Sequence, residues 1–475
     1  MKDDSQDSEL LQPASEQTHG AMDTEVSPQP EKGFLGRVKT VLTYESYSVY
    51  LLTSWILGIF GVIIQSFLML YLRDWFIFYI GPTPLVYIWI SLIVVGFFAM
   101  ELIGRFFGGY VGDNYNRKWL SVLTMLVSGL AMFILAISTN IWMLMAGTMV
   151  IAGSAIFASG STSYIYEQIP PEHSGLGMGI FQTGSGFGLI GIGTVIWLLA
   201  IGYPFVITIQ IMFFVGAICY VLAATIRAIW LKPPRPINRK TREARRSKEF
   251  LKQNFNAIKL LILLLPVFMG VLILDALSDG FYRFVVTYYL NEALAFSLTD
   301  IALMMAVVLG FSLPLSITVG GFFDRRGSRK AILTVYSVMP IVMVILILAP
   351  FFPYYLPLPI VESISLAVPV ISPLLSTPFI ALAMKNINDI LWWTLILTYL
   401  RSSLPRSETA KMLSIFFIIT GLSAVTTQVP AAFIYTYFGA IPVLILALAI
   451  NLVIITILIC GNIEPKPIPE EYRDL

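Results

Sequence analysis

Long apolar blocks follow one another along almost the whole chain, and they decide its solvent before any motif is considered. Of the 475 residues, 57% are hydrophobic and 12% are charged, about half the roughly 25% charge typical of soluble domains. A soluble fold of this size could not cover its surface with so few charges. A bilayer core is ~30 Å thick and takes ~20 apolar residues per spanning helix. Reading apolar runs between breakers gives twelve spans at 46–72, 85–112, 119–139, 141–165, 176–200, 203–231, 259–290, 297–322, 331–352, 377–400, 410–436 and 438–461. The runs show no two-residue alternation, and only helices or closed barrels satisfy their backbones in lipid, so the spans are read as helices.

Orientation follows from the basic residues. Arg37, Lys39, Arg117, Lys118, Arg325, Arg326, Arg329, Lys330, Arg401, Arg406 and Lys411 share one side with the basic stretch from Lys232 to Lys252. Loops on the other side hold only Arg73. The positive-inside rule then places both termini and the middle loop in the cytoplasm. The expected organisation is a disordered acidic tail and lead-in at 1–45, a six-helix bundle at 46–231, a basic cytoplasmic linker at 232–258, a second six-helix bundle at 259–461 and a cytoplasmic tail at 462–475. The start of the chain lacks the basic and apolar pattern of a signal peptide. The basic linker reads as touching anionic lipid and not nucleic acid.

Two segments echo each other. Gly109 stands four residues before Asp113, which is followed by Arg117 and Lys118; Gly320 stands four before Asp324, followed by Arg325, Gly327, Arg329 and Lys330. The two aspartates are 211 residues apart, whereas a second echo, Ile169-Pro170 with Leu404-Pro405, has an offset of 235. The difference places an insertion in the second half, at about 353–376, where five prolines disfavour a straight spanning helix. It is expected to be an external loop or a short re-entrant piece. A thirteenth helix would reverse the charge rule downstream.

These paired loops resemble the signature between helices 2 and 3, and 8 and 9, of the major facilitator superfamily. Asn116 stands where the family has glycine, and Ser328 where it often has arginine. The resemblance implies an all-α membrane fold of two six-helix bundles related by a pseudo-twofold axis along the membrane normal. It implies a monomeric secondary carrier that moves a small solute by alternating access. It also implies that Asp113 with Arg117, and Asp324 with Arg325 and Arg329, latch the cytoplasmic side. Topology anchoring alone would equally need the positive charges.

Ionisable residues inside a bilayer cost roughly 2.5–3.5 kcal/mol each at mid-helix and tend to face a protein interior or a wet cavity. Three groups stand out: Asp275, Asp279 and Arg283 on helix 7; Lys385 and Asp389, beside Asn386 and Asn388, on helix 10; and Glu101 with Arg105 on helix 2. Four-residue steps put each set on one helical face. In the resembled fold helices 1, 4, 7 and 10 line the central cavity, so helices 7 and 10 would present their charges to one space. On this reading Asp275 or Asp389 binds a coupling proton, and Arg283 and Lys385 hold an anionic substrate group or a carboxylate. The competing reading is that the pairs are self-neutralised and fix packing. A glycine run, Gly184 to Gly193, partly resembles the motif of drug exporters, but Leu189 stands where that motif has proline; a close helix crossing explains it as well.

Cys219 and Cys460 are isolated thiols, and the two histidines, His19 and His173, lie outside the spans. No metal or cofactor is expected. No P-loop, His-Glu-x-x-His or Gly-x-Ser-x-Gly is present, which argues against a pump or a membrane enzyme. A uniporter or a multidrug-type exporter of the same fold are the nearer alternatives.

Overall fold

The computed structural model describes residues 34–168, 180–181, 183–232, 258–259, 262–263, 265–318, 328–403 and 409–461. The acidic tail, most of the basic linker, the Ile169-Pro170 and Leu404-Pro405 echo, and Gly320, Asp324, Arg325 and Gly327 lie outside the described residues. So do the side chains of Asp113 and Arg329.

The described elements are helical, with a single isolated bridge between Tyr354 and Ser376. Twelve spanning units follow in order. The first six are α1 Glu45–Tyr79, α2 Val86–Asn114, α3 Arg117–Ala136, α4 in two pieces (Ile141–Gly153 and Ala155–Gln168), α5 from the 3-10 turn Thr183–Phe187 into Gly188–Ala200, and α6 Phe205–Trp230. The second six are α7 Pro266–Tyr288, α8 Leu298–Thr318, α9 in two pieces (Ser328–Tyr336 and Val338–Leu348), α10 Thr377–Ser403, α11 in two pieces (Thr409–Thr426 and Gln428–Phe438), and α12 Ala440–Cys460. Seven of the described helices are long and apolar enough to cross a membrane by length and composition alone. Neither α7 nor α10 is among them, although they have 23 and 27 residues; α7 carries Asp275, Asp279 and Arg283, and α10 carries Lys385 and Asp389.

Local sequence explains the ends and breaks. Asn116 caps α3 by accepting from the Lys118 amide at 3.0 Å, and Asn140 caps α4 by accepting from the Met143 amide. Ser297 and Asp300 form a reciprocal capping box at the start of α8. The breaks in α9 and α11 fall at Ser337 and Thr427, three residues before Pro340 and Pro430. A proline lacks the amide to bond the preceding turn, and its ring crowds the carbonyl four residues back. In α4 the Ser154 hydroxyl donates back to the Ile151 carbonyl at 2.7 Å, a bond that bends helices.

Helix pairings repeat between the halves. In the first, α3 packs on α6, α2 on α4, α1 on α5 and α6, and α3 on α4. In the second, α9 packs on α12, α8 on α10, α7 on α11 and α12, and α9 on α10. Adding six to each helix number of the first set gives the second. Across the halves α2 meets α11 and α5 meets α8; the same shift exchanges these two contacts, as a twofold axis between bundles requires.

Glycines set the close crossings. A Cβ at Gly191 would lie 2.7 Å from the Ile59 carbonyl, and one at Gly188 would meet Val62, so the glycine run of α5 is where it crosses α1. Gly280 of α7 comes equally close to Thr427 and Ala424 of α11. Small residues of this kind let backbones approach in lipid, where dispersion replaces hydrophobic driving force.

One boundary departs from expectation, and the insertion takes a defined form. α1 does not stop at residue 72 but runs on to Tyr79, so Arg73 and Asp74 are helical and not in a loop. No breaker precedes Gly81-Pro82, and both side chains find partners. The 353–376 insertion forms a ten-residue helix, Leu358–Ala367, and a 3-10 turn, Pro369–Leu375. Ten residues rise about 15 Å, half a bilayer core, so this is not a thirteenth span. Its ends are pinned where the Thr377 amide donates to the Pro353 carbonyl at 2.9 Å.

Candidate functional site

The four-residue spacing within α7 and within α10 produces more than two separate pairs. Arg283 Nε donates to Asp279 Oδ2 at 2.5 Å. The other oxygen of the same carboxylate, Oδ1, takes the Lys385 ammonium of α10 at 2.9 Å. Lys385 also pairs with Asp389, one turn along its own helix. One continuous bridge therefore runs Arg283, Asp279, Lys385, Asp389. The α7 and α10 backbones make little direct contact; the side chains span the gap. Lys385 also lies 5.2 Å over the Tyr282 ring, a placement that favours a cation. By residue count Asp279 and Lys385 sit well inside their helices, towards mid-span. Each charge has an opposite neighbour, which removes most of the cost of placing it there.

Exposure differs along the bridge. The Lys385 and Asp279 side chains are 5% and 23% exposed, and those of Asp389 and Arg283 are 40% and 57%. Arg283 uses Nε alone, and Asp389 uses Oδ1 alone, for partners among the described residues. Beside them the Asn388 amide is buried, and neither of its polar atoms has a partner among the described residues.

Asp275, one turn before Asp279, is held differently. Trp392 of α10 donates Nε1–H to Asp275 Oδ2 at 2.8 Å. Among the described residues it has no ion pair. Trp392 stacks edge-on against Tyr336 of α9 with ring centroids 4.9 Å apart, and the Tyr336 hydroxyl donates to Asn451 Oδ1 of α12 at 2.7 Å. The Asp275 carboxyl thus lies beside a buried polar junction of four helices.

In the first half, Arg105 closes on Glu101 within α2 at 2.5 Å. Met100, Ile103 and Phe107 make the exposed apolar stripe of that helix. Gly104 faces Ala155 and Ile156 of α4, and Leu102 faces Gly421 of α11. On the helical wheel Glu101 and Arg105 fall between those two contacts, away from the apolar stripe. The pair therefore opens between α4 and α11, towards the space between the halves and not towards lipid.

Two further polar clusters escaped the sequence reading. At the end of the bundle where α1 and α7 finish, Arg73 donates to Glu292 across the halves at 2.8 Å while also holding Asp74. Tyr87 of α2 and Tyr435 of α11 donate to the two oxygens of the same Glu292, at 2.5 and 2.6 Å. Glu292 sits in a π-helical turn, Tyr289–Ala293, that extends α7. The second cluster surrounds Arg227 of α6, which is 1% exposed. Its guanidinium donates to Thr53 and Ser54 of α1 and to Ser121 of α3, at 2.7–2.8 Å, and lies 4.1 Å over the Tyr50 ring. A spacing rule could not find either cluster, because the partners come from distant helices. For Glu292 the one usable signal is a lone acid at the end of a span facing the lone Arg73.

The family model for the major facilitator superfamily matches residues 46–389. The chain belongs to the major facilitator superfamily. Multidrug resistance protein MdtG from two strains of Escherichia coli is 24% identical over 258 residues, 53% of this chain and 60% of that protein; the chain thus spans about 60% of the length of the curated relatives it matches. Solved structures share the fold at low identity. The nucleoside transporter NupG superposes with a TM-score of 0.65 at 12% identity, covering 86% of this chain and 99% of that one. A D-xylose-proton symporter gives 0.64 at 14% identity, covering 87% and 96%. A bacterial homologue of the human lysosomal transporter Spinster, inward-facing and unoccupied, gives 0.59 at 12%, covering 88% and 98%.

Of the two superfamily signature loops, only the first lies among the described residues. There Asn116 replaces a glycine without disturbing the turn, because it is the N-cap of α3. Arg117 Nε reaches the Gly112 carbonyl at 3.4 Å and so folds back over the end of α2. Lys118 projects over the neighbouring Trp119 ring, at 6.0 Å. Gly109 and Asp113 lie in the last turns of α2.

Proposed function

We propose that this multi-pass membrane protein is a proton-coupled secondary transporter of the cell membrane that carries a small polar solute by alternating access, as a monomer with both termini in the cytoplasm. The observation that carries the reading is the charge bridge between α7 and α10. Four ionisable side chains at mid-depth are retained where apolar ones would cost less, and the bridge ends open away from the packed helices. A proton symporter shares the fold, which supports the coupling without assigning it.

Asp275 is the residue proposed to carry the proton. Asp279 and Asp389 each hold a cation, whereas the groups against Asp275 are neutral, the indole N–H of Trp392 and the hydroxyl of Tyr336. A carboxyl in that place can take up or release a proton without breaking an ion pair. Its neighbour Asp279, one turn away, gives it electrostatic contact with the bridge, so a change in its charge is felt where the solute binds.

The Arg73–Glu292 cluster supports an outward-closed state. It ties α1 and α2 of the first half to α7 and α11 of the second, at the end opposite the signature loops. Alternating access requires these contacts to part when the cavity opens to that side. The signature residues Asp113, Arg117, Asp324, Arg325 and Arg329 would take over at the cytoplasmic end.

The test uses the full chain in proteoliposomes. A pH gradient should drive accumulation of the solute, and Asp275→Asn should abolish accumulation while leaving exchange of labelled for unlabelled solute intact. Retained pH-driven accumulation in Asp275→Asn would overturn the assignment of the proton. Absence of any exchange by the native chain, with a solute shown to bind, would overturn the transport reading.

A further inference from the structure

The signs along the α7–α10 bridge alternate, and their number is even. Arg283 and Asp389 are therefore the two ends, and the ends have opposite charge. The inner members are committed to each other and shielded. The outer members are the exposed ones, and each keeps unused hydrogen-bonding atoms: both terminal nitrogens of Arg283, and Oδ2 of Asp389, have no partner among the described residues.

What this surface offers a solute is one cation and one anion with no net charge. The charge pair on the facing half, Glu101 and Arg105, closes on itself and adds nothing to the sum. We propose that the transported solute is a zwitterion, with an anionic group on Arg283 and a cationic group on Asp389. This rests on the transport reading above and deepens it by naming the substrate class.

The argument is one of compensation. As the cavity closes and sheds water, every charge in it must find a partner or bear a desolvation cost. An anionic solute would satisfy Arg283 and leave Asp389 open. A cationic solute would do the reverse. A sugar would leave both, supplying only neutral hydrogen bonds. A zwitterion satisfies both ends at once. The free fork of Arg283 suits a carboxylate, which can take two parallel N–H bonds. Three ion-pair contacts run from one end of the bridge to the other, so the two free ends are held in a fixed relation that a zwitterion must match with its charges.

Binding to purified full-length protein in nanodiscs tests this directly. The probes are 6-aminohexanoate and L-phenylalanine, with hexylamine, hexanoate, phenethylamine and D-xylose as matched controls, followed by thermal shift and titration calorimetry. At least one zwitterion should bind about tenfold or more tightly than either single-charge analogue, the loss expected for one charge-assisted contact. In Arg283→Gln the zwitterion and its amine should bind alike, because the carboxylate no longer has a partner; a merely structural Arg283 would weaken all ligands together. If neither zwitterion binds, or if a single-charge analogue or D-xylose binds as well, the proposal falls. A zwitterion that binds without counterflow would uphold the binding site and overturn its role in transport, whereas counterflow of D-xylose would overturn the zwitterion and uphold the transport reading.

Discussion

Arg73 and Glu292 come from opposite halves of the chain, 219 positions apart, and their side chains meet at 2.8 Å. Arg73 is almost completely buried, while Glu292 is satisfied on both oxygens by Tyr87 and Tyr435 as well. Removing one partner of a buried, hydrogen-bonded charge pair costs about 2–5 kcal/mol. In Glu292→Gln the loss falls on the state in which the halves touch at this end. The population open to that side should rise by roughly 30-fold or more, the equivalent of about 2 kcal/mol. Maleimide labelling of a cysteine placed near Met69, applied from that side in a background without Cys219 and Cys460, measures the change. Exchanging the pair, Arg73→Glu with Glu292→Arg, should recover part of the closure. Equal labelling of Glu292→Gln and the parent would show that the cluster does not hold the gate.

Single-hydroxyl deletions in the same cluster should act in the same direction and more weakly. Tyr87→Phe and Tyr435→Phe each remove one donor to a charged acceptor, worth about 1.5–3 kcal/mol at most. Their aromatic packing, with ring centroids 4.7 Å apart, remains. Labelling rates between those of the parent and Glu292→Gln are expected for each, with the double variant close to Glu292→Gln.

How much of this was legible in the sequence follows from the range of the forces involved. The spans were legible because lipid imposes a length and a composition on each helix separately. The twofold design was legible because two loops kept the same residues at the same spacing. The pairs Asp279–Arg283 and Lys385–Asp389 were legible because a helix dictates which residues share a face. The contact that joins those pairs, Lys385 to Asp279, was not, since no local rule says how α10 is rotated against α7. Asp275 was expected beside the other charges in one shared space, and its indole partner Trp392 could not be read from spacing. The Arg227 cage was missed for the same reason: its acceptors are ordinary serines and threonines on α1 and α3. Arg73 and Asp74 read as loop residues because charges usually end an apolar run, whereas here both lie within α1 and each has a partner.

Lys385→Met should destabilise the fold more than loss of one exposed ion pair would. It leaves Asp279 and Asp389 facing each other without the cation between them, and breaking a buried pair by removing one member costs about 3–5 kcal/mol. Adding Asp389→Asn to Lys385→Met should restore much of the melting temperature, because Asp389, the carboxylate left without a cation, is then neutral while Asp279 keeps Arg283. Thermal unfolding of the two variants in the same detergent decides it. A double variant no more stable than the single one would mean that Lys385 acts through packing on Tyr282 and not through charge.

Arg227 provides the contrasting case, a cation that serves the scaffold. Its guanidinium joins α1, α3 and α6 through three hydroxyls at 2.7–2.8 Å and the Tyr50 ring, with a longer bond to Ser161 of α4 at 3.4 Å, and no acid pairs with it among the described residues. In Arg227→Leu the three hydroxyls lose their donor and the ring loses its cation, and the branched side chain leaves part of the space unfilled. A loss of roughly 3 kcal/mol or more is expected from these terms together. Restoring charge with Arg227→Lys should recover little of it, since one ammonium on a flexible stem cannot reach Thr53, Ser54 and Ser121 in the directions a planar fork does. The solute preference and the pH dependence of transport should be the same in both variants as in the parent, because the cage lies within the first bundle and apart from the α7–α10 bridge. Melting temperature and pH-driven uptake measured side by side separate the two roles: a changed pH profile in Arg227→Lys would place this residue in the coupling machinery after all.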